Sequence, residues 1–100
     1  MPQSFVSNHL HIVFSTYERN RWIAPEVQPK LWAYMAGTAR RLDSHPAAIG
    51  GIDDHVHLLV ALSSGMDIAQ FMNKLKSSSS KWMKQHHATL PGRRDMAPLA

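Results

Sequence analysis

Residues 47–62 read AAIGGIDDHVHLLVAL, two short apolar runs separated by glycines and carboxylates. Two strands joined by a tight connection account for this pattern. Either Gly50-Gly51 or Asp53-Asp54 suits the turn, because glycine and aspartate tolerate the backbone conformations that hairpins demand. We favour Asp53-Asp54 as the turn or its edge, which leaves Gly50 and Gly51 in a strand where another group approaches closely. Alternation along the second run sends Val56, Leu58 and Val60 to one side. It sends His55 and His57, with Asp53 ahead of them, to the other.

Working outward, Phe5 to Thr16 alternates in the same way, with Leu10, Ile12 and Phe14 on one face and His9, His11, Val13 and Ser15 on the other. A polar connection, TYERNRW, leads to Pro25, a residue suited to a first helical turn because it has no N–H to satisfy. Val27, Leu31, Tyr34, Met35, Thr38, Ala39 and Leu42 then recur at helical spacing, predicting a helix over about residues 26–43. DSHPA breaks it. Downstream of the paired strands, Asp67 with Gln70 three residues on predicts a capping box. Ile68, Phe71, Met72, Leu75, Ser79 and Trp82 trace the apolar face of a second helix. Four consecutive serines within it are poor helix formers, so packing must hold that segment.

The order strand, helix, strand, strand, helix predicts an α+β chain, a ferredoxin-like antiparallel sheet with two helices. A ferredoxin-like sheet would continue into a fourth strand. The tail HHATLPGRRDMAPLA instead has no period and carries Pro91, Gly92 and Pro98, so it reads as irregular from residue 86 to 100, after a domain over residues 1–85.

A chain of 100 residues with 44% hydrophobic composition supports one core and no second domain. It contains no cysteine, which excludes disulfides and thiolate metal sites. Its longest apolar runs fall far short of the roughly 18 residues of a membrane span. No secretory signal pattern opens the sequence, so a cytoplasmic location is expected. Eleven Lys and Arg against seven Asp and Glu give a net charge of +4, which favours a polyanionic partner.

The chemistry-bearing residues concentrate in DDHVH. Two imidazoles two residues apart on a strand lie about 7 Å apart at the backbone, and their side chains can converge on one cation. Neutral imidazole suits Mn or Zn, and Mg becomes acceptable once phosphate oxygens join. The competing reading is a solvated strand edge with no ligand. The neighbouring Asp53 and Asp54, on a chain with a basic balance, favour a metal at His55 and His57, with Asp53 as a candidate third ligand. In the ferredoxin-like topology the first strand lies beside the third, which makes His11 a candidate neighbour of the same site or else a hydrogen-bonded polar residue on the sheet face. In NKLKSSSSKWMKQ, Lys74, Ser77, Ser78 and Lys81 share a helix face, with Lys76 close by. Ammonium groups and short hydroxyls so arranged can hold a phosphate backbone, or form a plain solvated surface. Trp22 and Trp82 have rings that can stack on bases, although helical spacing already accounts for Trp82 as core or rim.

Three blocks, HIVFST at His11–Thr16, GGIDDHVHLLVAL at Gly50–Leu62 and KLKSSSSKW at Lys74–Trp82, stand in an order and spacing that resemble a known family. The chain is similar to the single-domain tyrosine transposases of the HUH class, the insertion sequence 200-like group, and especially the REP-associated tyrosine transposases. The resemblance implies a ferredoxin-like fold that binds single-stranded DNA, often as a hairpin, and works as a homodimer. It implies that His55 and His57 hold a divalent ion, Mg or Mn, that polarises the scissile phosphate. A tyrosine then attacks phosphorus, and the covalent link conserves bond energy for rejoining. The chain departs from the family where that tyrosine is expected, since none follows Trp82. The expectation is therefore a C-terminally truncated relative that keeps metal and DNA binding while cleavage is impaired. The alternative is a metal-independent nucleic-acid-binding or interaction module derived from a transposase.

Overall fold

The structure, a computed structural model, describes residues 9–86 and Leu99. Three strands, β1 (His9–Ser15), β2 (His45–Gly51) and β3 (His55–Ala61), form one antiparallel sheet in the order β1-β3-β2. Two helices, α1 (Gln28–Arg41) and α2 (Ile68–His86), interrupt them in the expected α+β sequence. Residues 5–8 of the expected first strand, and residues 87–98 and 100 of the expected irregular tail, lie outside the described residues.

Alternation places the sheet's two faces in different environments. Phe14, Val56, Leu58 and Val60 are buried with Leu31, Met35 and Ala39 of α1 and Phe71, Leu75 and Met83 of α2 in one core. Each fully buried large side chain contributes about 1.5–3 kcal/mol of hydrophobic stabilisation. The opposite face carries His9, His11 and Val13 from β1 and His55, His57 and Leu59 from β3, all exposed or half-buried.

The hairpin between β2 and β3 turns at Asp53-Asp54, as the sequence favoured, and the reason Gly51 is needed is now concrete. It has φ 153°, and a Cβ there would lie 2.2 Å from the carbonyl oxygen of His55. The close approach is backbone against backbone. Gly50 differs: a Cβ there meets nothing within 4 Å.

Three expectations about the helices need correction. The first-turn proline of α1 is Pro29, while Pro25 sits in a turn in which the Val27 and Gln28 N–H groups donate to Ala24 O. Asp67 Oδ1 accepts the Ala69 N–H at 3.2 Å, but Gln70 makes no reciprocal bond among the described residues, so only half of the capping box forms. The buried stripe of α2 runs Phe71, Leu75, Ser79, Met83 in steps of four, and Ile68 is 49% exposed. Ile68 heads the helix and extends past the core, whereas Met83 lies over it.

At the outer edge of β1, where a ferredoxin-like sheet would set its fourth strand, Leu99 forms a single antiparallel bridge with Thr16. Leu99 is buried, and its N–H donates to Ser80 Oγ at 3.2 Å.

Candidate functional site

The Asp53-Asp54 turn is fixed from two directions before its side chains do anything. Thr16, at the end of β1, donates its N–H to Asp54 O at 2.9 Å, and Ile23, fully buried, donates to Asp53 O at 3.0 Å. The hydroxyl of Thr16 bonds Asn20 O and Asp54 O as well, tying the loop after β1 to the same turn. The backbone that launches His55 is therefore anchored by groups remote in sequence.

Cross-strand register places Ser15 opposite His55, and Val13 and Gly50 opposite His57. The rings of His55 and His57 meet edge to face with centroids 4.9 Å apart. His11 reaches the same place: its Nε2 lies 3.4 Å from His57 Nδ1. Three imidazoles thus share one patch of open sheet.

The two aspartates separate in role. Asp54 Oδ1 accepts from His55 Nδ1 at 2.8 Å, which fixes the ring and its tautomer and leaves Nε2 with a lone pair. Asp53 instead faces the exposed Arg21, 3.9 Å away, and Arg19 lies 3.8 Å from Asp54. These exposed ion pairs add little stability. The hydrogen bond from His55, supported by the charges of Arg19 and Arg21 and opposed by partial desolvation, holds the Asp54 carboxyl below its ordinary range. The sequence places Asp54 beside the histidines, but its bond to His55 and the two arginines have no periodic signature, because a contact between adjacent turn residues leaves none.

The donor set fits a divalent ion in part. A carboxylate bonded to one nitrogen of an imidazole is a common partner of a metal-ligating histidine, because it orients the ring and raises its basicity. Among the described residues, however, no three His, Asp or Glu side chains are gathered as a group able to hold an ion. His55 and His57 would supply two ligands, and oxygens from outside the chain the remainder.

The depressed Asp54 carboxyl makes a pH prediction. Its stabilising contribution is present above the ordinary value of 3.8 and is lost as pH falls through the lower folded value. Asp54→Asn should therefore melt below the parent at pH 6, and the gap should close toward pH 3. A gap that does not change with pH would remove this role.

On α2, Lys74, Ser77 and Lys81 are exposed along one stripe with half-exposed Ser78 beside them. Ser77 Oγ is turned inward, donating to Asn73 O at 2.7 Å. Lys76 leaves the stripe, its ammonium 5.7 Å from the Phe14 ring centroid. Trp82 is partly buried against the core and stacks with Tyr34 at 5.7 Å and His86 at 4.9 Å. Trp22 also packs on the core. Tyr17, the other phenol, is 40% exposed in the 3₁₀ turn Tyr17–Arg19.

With this geometry in place, the fold has a solved counterpart. A Deinococcus radiodurans R1 protein assigned as a transposase superposes with a TM-score of 0.73 at 23% identity, over 85% of this chain and 67% of that one. The two share an α+β architecture. The model of the IS200-like transposases matches residues 4–95, and the chain belongs to that family. No curated protein matches the chain.

Proposed function

We propose that the chain acts as the nucleic-acid-binding domain of DNA transposition, taking single-stranded or hairpin DNA across the open sheet face, as a homodimer. The observation that carries this reading is the patch of His11, His55 and His57 on a sheet face that no other described element covers, with His55 oriented by Asp54. His55 and His57 would hold Mg or Mn, which when bound stabilises charge on a phosphoryl group. Asp54 keeps the His55 Nε2 directed away from the turn. Lys74 and Lys81 supply charge for backbone phosphates with Lys76 off their stripe, whereas the Ser77 hydroxyl is bonded to Asn73 O and the Ser78 hydroxyl is buried.

Cleavage through phosphotyrosine needs a phenol at the scissile phosphate. Tyr34 is stacked on Trp82 and bordered by Arg41, and Tyr17 occupies the turn after β1, so neither is assigned as nucleophile. The expected outcome with hairpin DNA and Mn is binding without a covalent adduct.

One observation favours a second reading, a metal-independent nucleic-acid or interaction module: the described residues gather only an incomplete ligand set. Fluorescence anisotropy with single-stranded hairpin DNA tests both. Binding should fall steeply with salt, by about 0.7 in log–log slope per phosphate contacted. Loss of binding with chelator supports the metal reading, and survival supports the second. No binding to any oligonucleotide at low salt overturns both DNA readings.

A further inference from the structure

β2 lies at the edge of the sheet, and the surface around it is hollowed. On the open face a hollow of about 350 Å³ lies between His11, His57 and Leu59 on one side and Ala48, Ile49 and Gly50 on the other. A second, about 280 Å³, carries on from Ala48 and Ile49 over the edge to Trp32, Ala33, Ala36 and Arg40 of α1. Sharing Ala48 and Ile49, the two make one track from the histidine patch to the helix.

Small side chains keep this track open. Gly50 stands opposite His57, its built Cβ meets nothing within 4 Å, and its φ lies outside the positive region. Nothing among the described residues asks for glycine there, in contrast to Gly51. What the missing side chain preserves is space beside an imidazole. At the far end Arg40 is exposed and forms no ion pair among the described residues, while Trp32 offers a half-buried ring. An apolar floor, aromatic walls and a cation at one end match a nucleotide: base on ring, phosphate on guanidinium.

The edge is ill suited to a second protein strand. Pro46 lacks the N–H that pairing would use, and the register slips between Pro46 and Ala48. Both features blunt strand addition.

We propose that this track is a subsite for the unpaired nucleotides flanking the phosphate held at the histidines, with one base over Ala48 and Gly50 against His57, the next on Trp32, and a phosphate on Arg40. It rests on the single-stranded DNA reading above.

The test uses the full chain, fluorescein-labelled oligodeoxythymidylate of graded length, and two variants. Gly50→Leu, which fills the hollow, should bind roughly tenfold more weakly, the loss of about one stacked base. Arg40→Ala should lower the log–log salt slope by about 0.7, one phosphate contact on a single strand. Both should melt with the parent. Should Gly50→Leu fail to fold, Arg40→Ala decides, since its side chain is exposed. If the parent binds DNA and Lys74→Ala weakens it while folded Gly50→Leu and Arg40→Ala bind as the parent does, the track is wrong and the DNA reading stands. If the parent binds no single strand, the DNA reading itself fails and takes the track with it. If the variants change the sedimenting mass and leave DNA affinity alone, the face is a protein interface and the proposal is overturned.

Discussion

Alanine at both His55 and His57 is expected to abolish saturable Mn²⁺ binding while lowering the melting temperature no further than Asp54→Asn does, since both variants lose the His55–Asp54 hydrogen bond. The two side chains lie half-buried on the open face and contribute nothing to the core formed by Val56, Leu58 and Val60. Beyond that hydrogen bond, substitutions away from a core usually shift stability by less than about 0.5 kcal/mol. Losing both imidazoles removes every chain-derived ligand of the proposed site. Changing a group that merely orients a ligand already costs about 10–100-fold in metal affinity, so the double substitution should exceed about a hundredfold. Asp54→Asn should fall between, near tenfold, because its carboxylate fixes His55 without being proposed as a ligand. Isothermal titration with Mn²⁺ reads all three proteins without requiring cleavage. Equal stoichiometry and affinity in the parent and the double variant would discard the metal site and leave the metal-independent reading.

The strand faces were legible because a period of two needs only neighbouring residues. Leu10, Ile12 and Phe14 against His9, His11 and Val13, and Val56, Leu58 and Val60 against His55 and His57, fall as alternation dictates. The approach of His11 to His57 was legible at one remove, through topology: setting the first strand beside the third brings their outward residues together. Helix faces were less well determined. Stepping by three and by four from Ile68 to Trp82 gives a broad stripe, and only the sheet beneath decides that Phe71, Leu75, Ser79 and Met83 are its centre. Three features had no sequence signature at all. Asp54 bonds its immediate neighbour, Thr16 and Ile23 anchor a turn about thirty or more positions away, and the track over β2 joins α1 to a strand edge through small residues. Each depends on how elements meet, and periodicity within one element carries no record of that.

The glycine pair gives the sharpest test of the hairpin on which the site is built. Gly51→Ala is expected to destabilise the fold by about 3 kcal/mol, through a disfavoured positive φ and overpacking together. The added Cβ would lie 2.2 Å from His55 O and 3.0 Å from Val56 Cα, both backbone atoms, so no rotamer change relieves the contact. Relief requires β2 and β3 to part where Ile52 N–H donates to His55 O at 3.0 Å. For a domain of this size the cost corresponds to a fall of roughly 15 °C in melting temperature. Gly50→Ala, one residue earlier, meets nothing and should stay within about 0.5 kcal/mol of the parent. A gain at Gly50 is also consistent, because alanine restricts the unfolded chain. The contrast separates a local backbone clash from any general intolerance of β2 to side chains. Because the displaced carbonyl belongs to His55, the Gly51 variant that remains folded at low temperature should also bind Mn²⁺ more weakly than Gly50→Ala does. Matching melting curves for the two variants would show that His55 does not sit against Gly51, and the hairpin geometry that aims the histidines would fall with it.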